Sequence, residues 1–218
     1  MWDGTCAEQA LSYGHPMPAP LLFYFDFISP YGYFASLQVE QLAARHGRTV
    51  DWRPMLLGVA VMKVMGLKPL LDTPLKGDYV RRDVLRLARK LGAPLTRDLN
   101  APVGNPLPAA RAFYWVRQHH PQLQAALVHA LYHAFWAEGK DLSTPEAVAG
   151  IALPPGLVPA EIAAGVASDE ASTLLRTAVS ASIAAGIFGS PTLVVDGEPF
   201  WGVDRLGEAE EWLATGGW

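Results

Sequence analysis

The stretch LLFYFDFISP, at residues 21–30, decides the fold. It begins with a nearly continuous apolar and aromatic run, which is typical of a strand buried in the centre of a sheet. The run ends at Ser29-Pro30, where serine can cap a helix and proline is tolerated at the first helical position. We therefore predict a strand over 21–27 that passes directly into a helix.

The residues that follow complete a βαβ unit. Apolar side chains recur at helical spacing from Tyr31 to His46, and Gly47 ends the pattern. A second strand is predicted over 49–54. Strand, helix and strand in this order predict two parallel strands joined by a right-handed crossover.

The end of the chain supplies a ββα unit. Residues 191–195 form a short β-branched run, and Asp196-Gly197 is a strong signal for a two-residue hairpin turn. The partner strand is predicted over 199–201 and a last helix over 204–214. Together the two ends of the chain predict an α/β fold, a thioredoxin-like domain (βαβ…ββα) with a large all-helical insertion.

The segment between these units is predicted to be helical throughout, from about Val59 to Ala185. Gly92 is placed to end one helix and Thr144-Pro145 to begin another. We predict three parts: an N-terminal leader (1–19), a thioredoxin-like domain in two pieces (20–66 and 182–218) and a helical insertion domain (67–181).

Composition excludes several classes of protein. Half of the 218 residues are apolar and 17% are charged, which excludes an intrinsically disordered chain. No apolar run approaches the roughly 18 residues that a membrane span needs. The net charge of −4 provides no basic field to attract nucleic acid or anionic lipid. We therefore expect a small-molecule substrate as partner, with no nucleic acid and no membrane.

Cysteine and histidine usage narrows the chemistry further. The single cysteine, Cys6, excludes an intrachain disulfide, a CxxC redox pair and a four-thiolate metal site. The leader lacks the basic and apolar regions of a secretory signal, so a cytoplasmic protein is expected. His129 and His133 share a helix face, but Ala130 stands where a metalloprotease motif needs glutamate, so no metal site is expected.

Ser29 is the first candidate for chemistry. In open α/β sheets ligands bind beyond the carboxyl ends of the strands, and the amino end of a helix there favours an anion or a thiolate. The Ser29 hydroxyl can donate a hydrogen bond to sulfur but cannot itself perform redox chemistry. The alternative is that Ser29 only caps the helix.

Ser190-Pro191, just before the late strand, is the second candidate. A cis proline occupies this place in thioredoxin-like folds and faces the first helix, and cis peptide bonds are essentially confined to proline. The Ser190 backbone could then pair with an extended peptide, as an added strand does. The alternative is an ordinary proline at a strand edge.

Five stretches of this chain resemble 2-hydroxychromene-2-carboxylate isomerases, which are close to kappa-class glutathione transferases and DsbA-type oxidoreductases. The stretches, between residues 21 and 206, are FYFDFISPYGYFASLQVEQLAARHG, WRPMLLG with MKVMG, KGDYVRRDV, FWAEGKDLSTPEAV and GIFGSPTLVVDGEPFWGVDRL. The positions of the CxxC motif read SPYG at 29–32, which disfavours the redox branch.

The resemblance implies glutathione as the cofactor. It implies that Ser29 holds the glutathione sulfur and that the Ser190 backbone, before Pro191, pairs with the cysteinyl unit. The γ-glutamyl end would be held by a stretch after the hairpin, comprising Trp201, Gly202, Val203 and Asp204. A carboxylate at Asp204 suits the ammonium group of that end, although Asp204 could instead be a plain helix cap.

The resemblance also implies residues on the substrate side. Lys63 would pair with a substrate carboxylate and act in catalysis, unless it belongs to a solvated helix face. Tyr79 and Asn105 would contact the substrate. Leu67 stands where kappa-type members usually carry asparagine, and the loop at 96–105 lacks the family's phenylalanines. These departures indicate a different substrate and put a glutathione contact in doubt.

The sequence thus predicts a glutathione-dependent isomerase of an aromatic or unsaturated carboxylic acid, acting by reversible thiolate addition and double-bond rotation. One alternative is a kappa-like glutathione transferase that releases the conjugate. A second alternative is a non-catalytic thioredoxin-fold protein that only binds a ligand. The large apolar helical block favours a homodimer.

Overall fold

The computed structural model describes residues 18–218. Cys6 and all but the last two residues of the predicted leader lie outside the described residues. No helix in 18–218 is long and apolar enough to cross a membrane.

One mixed sheet of four strands organises the molecule. The strands are β1 (Leu21–Phe25), β2 (Val50–Pro54), β3 (Thr192–Val195) and β4 (Glu198–Trp201). Their order across the sheet is β2-β1-β3-β4, with β1 parallel to β2 and β3 antiparallel to both β1 and β4. This topology confirms the predicted βαβ and ββα units, including the hairpin turn at Asp196-Gly197.

Nine α-helices lie in the described part of the chain. They are α1 (Pro30–Ser36), α2 (Val39–Arg45), α3 (Lys76–Leu91), α4 (Leu107–His119), α5 (Gln124–Tyr132), α6 (Pro145–Ala149), α7 (Pro159–Ala167), α8 (Asp169–Ala184) and α9 (Leu206–Thr215). Two π-helices (Gly58–Val64 and His133–Ala137) and three short 3-10 helices (Leu70–Asp72, Pro121–Leu123 and Val203–Arg205) accompany them.

The single helix predicted from Tyr31 to His46 is wrong. The Gln38 side-chain amide donates to the Phe34 carbonyl at 2.9 Å, which is the acceptor that the Gln38 N–H would use in a continuous helix. The Gln38 N–H turns instead to the Ala35 carbonyl at 3.0 Å. The ladder is interrupted there, and α1 and α2 are separate helices.

The prediction of an uninterrupted helical middle is also wrong. Gly92 ends α3 in the left-handed conformation at φ +61°, as predicted, and an irregular segment follows up to α4. That segment is held by other bonds, since the N–H groups of Thr96 and Arg97 both donate to the Trp136 carbonyl. The predicted domain boundary at residue 182 falls within α8, and the division of the chain into domains stays a prediction.

The sheet and the intervening helices share one core. The Phe25 ring of β1 meets Trp52 of β2 edge-on at 5.7 Å, Phe113 of α4 at 6.3 Å and Tyr132 of α5 at 5.6 Å. All four side chains are buried. The carboxyl end of β1 is therefore fixed against helices from the middle of the chain.

Candidate active site

The turn between β1 and α1 positions Ser29. The strand ends at Phe25, two residues earlier than predicted, because the Asp26 N–H leaves the sheet and donates to the Ser190 hydroxyl at 2.9 Å. The Asp26 carbonyl then accepts the Ser29 N–H at 2.9 Å. This closes a turn that places Ser29 at the amino end of α1.

The buried Ser29 hydroxyl makes two hydrogen bonds. It accepts the Gly32 N–H at 3.0 Å and so caps α1, with Pro30 in the first turn as predicted. It also donates to the Ser190 carbonyl at 3.0 Å. Capping and a second contact coexist, because a hydroxyl can donate once and accept twice.

The Ser190–Pro191 peptide bond is cis, as predicted, and its loop faces the amino end of α1. The Ser190 carbonyl is not fully free, because Ser29 donates to it. Within residues 18–218 the Ser190 N–H has no hydrogen-bond acceptor. The Pro191 carbonyl accepts the Gly202 N–H at 2.9 Å, and this hydrogen bond connects the loop to the end of β4.

The stretch from Trp201 to Asp204 adjoins that loop. Trp201 is 56% exposed and packs edge-on against the Phe188 ring at 4.9 Å. Gly202 has φ +118°, which favours glycine, and leads into the Val203–Arg205 turn. The exposed Asp204 carboxylate makes no capping hydrogen bond, so the interpretation of Asp204 as a plain helix cap is wrong. Its partner is Arg205, whose Nε lies 3.8 Å away.

The structure brings Tyr79 into a polar network that begins next to Ser29. The Tyr31 hydroxyl donates to Asp83 at 2.7 Å, and Asp83 also accepts from Arg86. Arg86 donates to the Tyr79 hydroxyl at 2.8 Å, with its guanidinium 5.2 Å from the Tyr79 ring centroid. Burial and the Asp83 carboxylate raise the pKa of Tyr31, so this hydroxyl keeps its proton.

Lys63 and Asn105 occupy different environments. Lys63 is exposed on the π-helix Gly58–Val64, within an exposed apolar surface. Asn105 accepts the Leu107 N–H at 3.1 Å on its side chain, and its own N–H donates to Ser143 at 2.9 Å. Asn105 therefore organises the start of α4, and a contact with substrate stays a prediction.

The exposed apolar surface around Lys63, here named the apolar segment, covers residues 62–75. Its exposed large side chains are Met62, Val64, Met65, Leu67, Leu70 and Leu75. Leu67, which is 57% exposed, lies within it. Leu75 is 91% exposed and adopts the left-handed conformation at φ +68°.

Two site residues were missed by the sequence reasoning. Asp26 is fully buried, and burial raises its pKa from 3.8 to about 6. The buried Tyr132 hydroxyl donates to the Asp26 carbonyl at 3.1 Å. The lone aspartate within the run FYFDF could have indicated Asp26 as a site residue. Nothing in the α5 sequence distinguishes Tyr132 from an ordinary core aromatic residue.

A cavity of about 300 Å³ lies elsewhere, between α2, the start of β2 and residues 121–125. Glu40, Arg48 and Gln124 are among the side chains that line it, and Ser29 is not. Ser190 and Asp204 do not line it either, so this cavity lies apart from the candidate site.

Comparison with known proteins gives consistent relatives. The family model of the DSBA-like thioredoxin domain matches residues 21–214. A 2-hydroxychromene-2-carboxylate isomerase of Sphingobium xenophagum is 31% identical over 192 residues, covering 88% of this chain and 96% of that protein. Glutathione S-transferase kappa 1 of Homo sapiens is 26% identical over 203 residues, covering 88% and 89%.

A solved structure of a 2-hydroxychromene-2-carboxylate isomerase superposes with a TM-score of 0.72 at 26% sequence identity. The match covers 89% of this chain and 94% of that one. The likeness therefore includes both the sheet and the helices between β2 and β3.

Proposed function

The chain belongs to the DsbA-like thioredoxin domains and, within them, to the 2-hydroxychromene-2-carboxylate isomerase family, and from this premise we propose that it is a glutathione-dependent isomerase of an aromatic or unsaturated carboxylic acid. The observation that carries the proposal is the Ser29 hydroxyl at the amino end of α1, opposite the cis-Pro191 loop. This end of a helix stabilises negative charge, which a thiolate cofactor brings.

The residues around Ser29 fit glutathione. The unpaired Ser190 N–H is available to donate a hydrogen bond to a ligand carbonyl, and the Ser190 carbonyl has a second lone pair for a ligand N–H. The Asp204 carboxylate is exposed and has no capping role, so it is available to the ammonium group of the γ-glutamyl end. Trp201 and Val203 flank this position.

Ser29 would act by redirecting one hydrogen bond. Its hydroxyl proton, now donated to the Ser190 carbonyl, would turn to the cofactor sulfur, while the Gly32 N–H continues to donate to Oγ. Bound glutathione would supply a thiolate that adds reversibly to a conjugated carbon of the substrate, which permits rotation about the former double bond. Lys63 would hold the substrate carboxylate and stabilise the negative charge that develops on the substrate.

Disulfide chemistry has no support in this site. The two positions of a CxxC pair are Ser29 and Gly32. A Cβ atom on Gly32 would lie 2.6 Å from the Tyr132 hydroxyl and 2.9 Å from the Ser190 hydroxyl. The space for a second cysteine is therefore occupied.

A kappa-like glutathione transferase is the second candidate function, and the kappa-class relative favours it. The two activities differ in their products, because an isomerase returns all the glutathione and a transferase consumes it. A non-catalytic ligand-binding protein would bind without turnover.

A homodimer and a cytoplasmic location stay predictions. Sedimentation analysis of the purified protein would test the homodimer.

Calorimetric titration with reduced glutathione tests the proposal. We expect saturable binding that weakens in Asp204→Ala. Glu208→Ala is the matched control, because Glu208 is the other carboxylate paired with Arg205 and lies outside the proposed site. Absence of binding at millimolar glutathione would contradict the proposed cofactor, and equal weakening in both variants would contradict the role of Asp204.

A further inference from the structure

Asp26 has no part in the thiol chemistry, yet it joins four parts of the molecule. Its backbone N–H donates to the Ser190 hydroxyl. Its carbonyl accepts the Ser29 N–H and the Tyr132 hydroxyl. Its carboxylate accepts the Ile28 N–H at 3.2 Å through Oδ1. Through Oδ2 it accepts the Leu57 N–H at 2.7 Å.

The bond to Leu57 reaches the substrate side of the site. Leu57 precedes the π-helix Gly58–Val64, which carries Lys63. Among the described residues, this is the hydrogen bond through which the β1–α1 turn holds the start of that helix. A carboxylate at the amino end of a helix also interacts favourably with the helix dipole.

We propose that Asp26 is a positioning residue whose deprotonated carboxylate holds the Lys63 helix in place relative to Ser29, and that protonation of Asp26 releases this helix. The inference rests on the proposed function, since it takes Lys63 to be the residue that holds the substrate carboxylate. Asp26 acts through Lys63 and Ser29 and touches neither substrate nor cofactor.

The donors around the carboxylate explain why its charge matters. Each oxygen accepts one backbone N–H, and a protonated carboxyl group is a weaker acceptor than a carboxylate, so protonation weakens these hydrogen bonds. The titratable group that meets Asp26 from another element is Tyr132. Burial holds the pKa of Tyr132 well above its ordinary value, so Tyr132 stays protonated. Burial raises the Asp26 pKa to about 6, although the backbone N–H groups of Leu57, Ile28 and Phe27 lower it, and this value places the transition near pH 6.

The test measures the helix and the reaction separately. The Leu57 amide signal in nuclear magnetic resonance spectra is expected to titrate near pH 6 in the wild-type protein and to lose this transition in Asp26→Asn. With 2-hydroxychromene-2-carboxylate as the probe substrate, kcat/KM is expected to fall about tenfold per pH unit below the transition, as a single protonation requires. In Asp26→Asn it is expected to be roughly 10- to 100-fold lower and independent of pH in this range, because Lys63 is misplaced.

A second pair of variants avoids any change at Asp26. Leu57 has φ −58°, which suits proline, so Leu57→Pro removes the N–H donor while retaining the backbone conformation. We expect Leu57→Pro to lower kcat/KM at pH 7 and to move the transition to higher pH, because the charged carboxylate loses a donor. Leu57→Ala keeps the donor and is expected to leave the transition where it is.

Two results would overturn the proposal: a Leu57 amide that titrates identically in Asp26→Asn, or a pH profile of kcat/KM that neither Asp26→Asn nor Leu57→Pro alters. If neither the wild-type protein nor any variant turns over this acid or other conjugated aromatic acids, the proposed function fails. The Leu57 titration then still decides whether Asp26 controls the helix.

Discussion

The two sides of the proposed site differ in how they are built. On one side, which we name the floor, lie Asp26, Ser29, Tyr132 and Ser190, all buried and joined by hydrogen bonds of 2.9–3.1 Å. On the other side, the apolar segment 62–75 exposes large side chains to solvent. The floor is a fixed polar arrangement within a core, whereas the apolar segment leaves six large apolar side chains exposed.

The difference indicates a division of tasks. A buried polar network is costly unless each member is satisfied, so the floor has one well-defined arrangement and suits the shared chemistry of a cofactor. An exposed apolar surface next to a binding site suits a variable, largely apolar substrate. Changes to the floor should therefore have larger effects than changes to the apolar segment.

Asp26 should give the largest effect on stability. Because burial raises its pKa from 3.8 to about 6, the folded chain binds the proton more tightly than the unfolded chain. The stabilisation from this group is complete below pH 3.8 and is lost as the pH rises through about 6, with a total of about 3 kcal/mol. In urea unfolding, the difference in the free energy of unfolding between wild type and Asp26→Asn should fall by most of this amount between about pH 4.5 and 7. Asp72→Asn, at an exposed aspartate, is the control for the loss of one carboxylate elsewhere in the chain.

Ser29→Ala should have an effect on the reaction as large as that of Asp26→Asn. A hydrogen bond to a charged group contributes about 1.5–3 kcal/mol, so turnover should fall about 10- to 100-fold. Ser168→Ala is the matched control, because Ser168 caps α8 through the Ala171 N–H at 3.1 Å as Ser29 caps α1. Both variants should lose about 1 kcal/mol of stability. An unaltered rate in Ser29→Ala would remove Ser29 from the mechanism.

Gly32→Ala should destabilise the floor by overpacking. The added methyl group would lie 2.6 Å from the buried Tyr132 hydroxyl, and we expect a loss of about 1–3 kcal/mol in urea unfolding. Adding Tyr132→Phe removes that hydroxyl and should recover part of the loss, beyond the cost of Tyr132→Phe alone. A double-mutant cycle with no coupling between the two positions would contradict the close contact.

Leu67→Asn should have the smallest effect. It restores the polar residue that kappa-type members usually carry at this position, and one hydrogen bond of about 0.5–1.5 kcal/mol corresponds to glutathione binding about 2- to 10-fold tighter. Leu70→Asn, also exposed on the apolar segment, should leave the affinity unchanged. Equal affinities of both variants and wild type would mean that Leu67 lies outside the glutathione site.

Local signals predicted the parts of the fold that depend on neighbouring residues. Ser29-Pro30 and Gly92 mark helix ends through their own conformational preferences, and Asp196-Gly197 does the same for a turn. The break at Gln38 was missed because glycine and proline are absent from residues 33–46, and the break depends on a side-chain amide that competes with the helix. Pro191 was placed correctly because the order of strands fixes where its loop must lie.

The hydrogen bonds of the floor could not all be predicted, because they join residues that are far apart in the sequence. Asp26 and Ser190 are 164 residues apart, and Asp26 and Tyr132 are 106 apart. No sequence pattern within a single strand or helix predicts such contacts. The role of Asn105 at the start of α4 likewise depends on Ser143, which is 38 residues away.

The antiparallel pairing of β1 with β3 also has a consequence for synthesis on the ribosome. Strand β1, the first in the described part of the chain, must wait for residues 192–195 before one of its edges is covered. Until then β1 presents unpaired backbone groups, which makes an incomplete chain prone to aggregate. A nascent or truncated chain that ends before β3 can carry Ser29 and α1 and still lack a site, so proteolytic loss of the last thirty residues should abolish glutathione binding altogether.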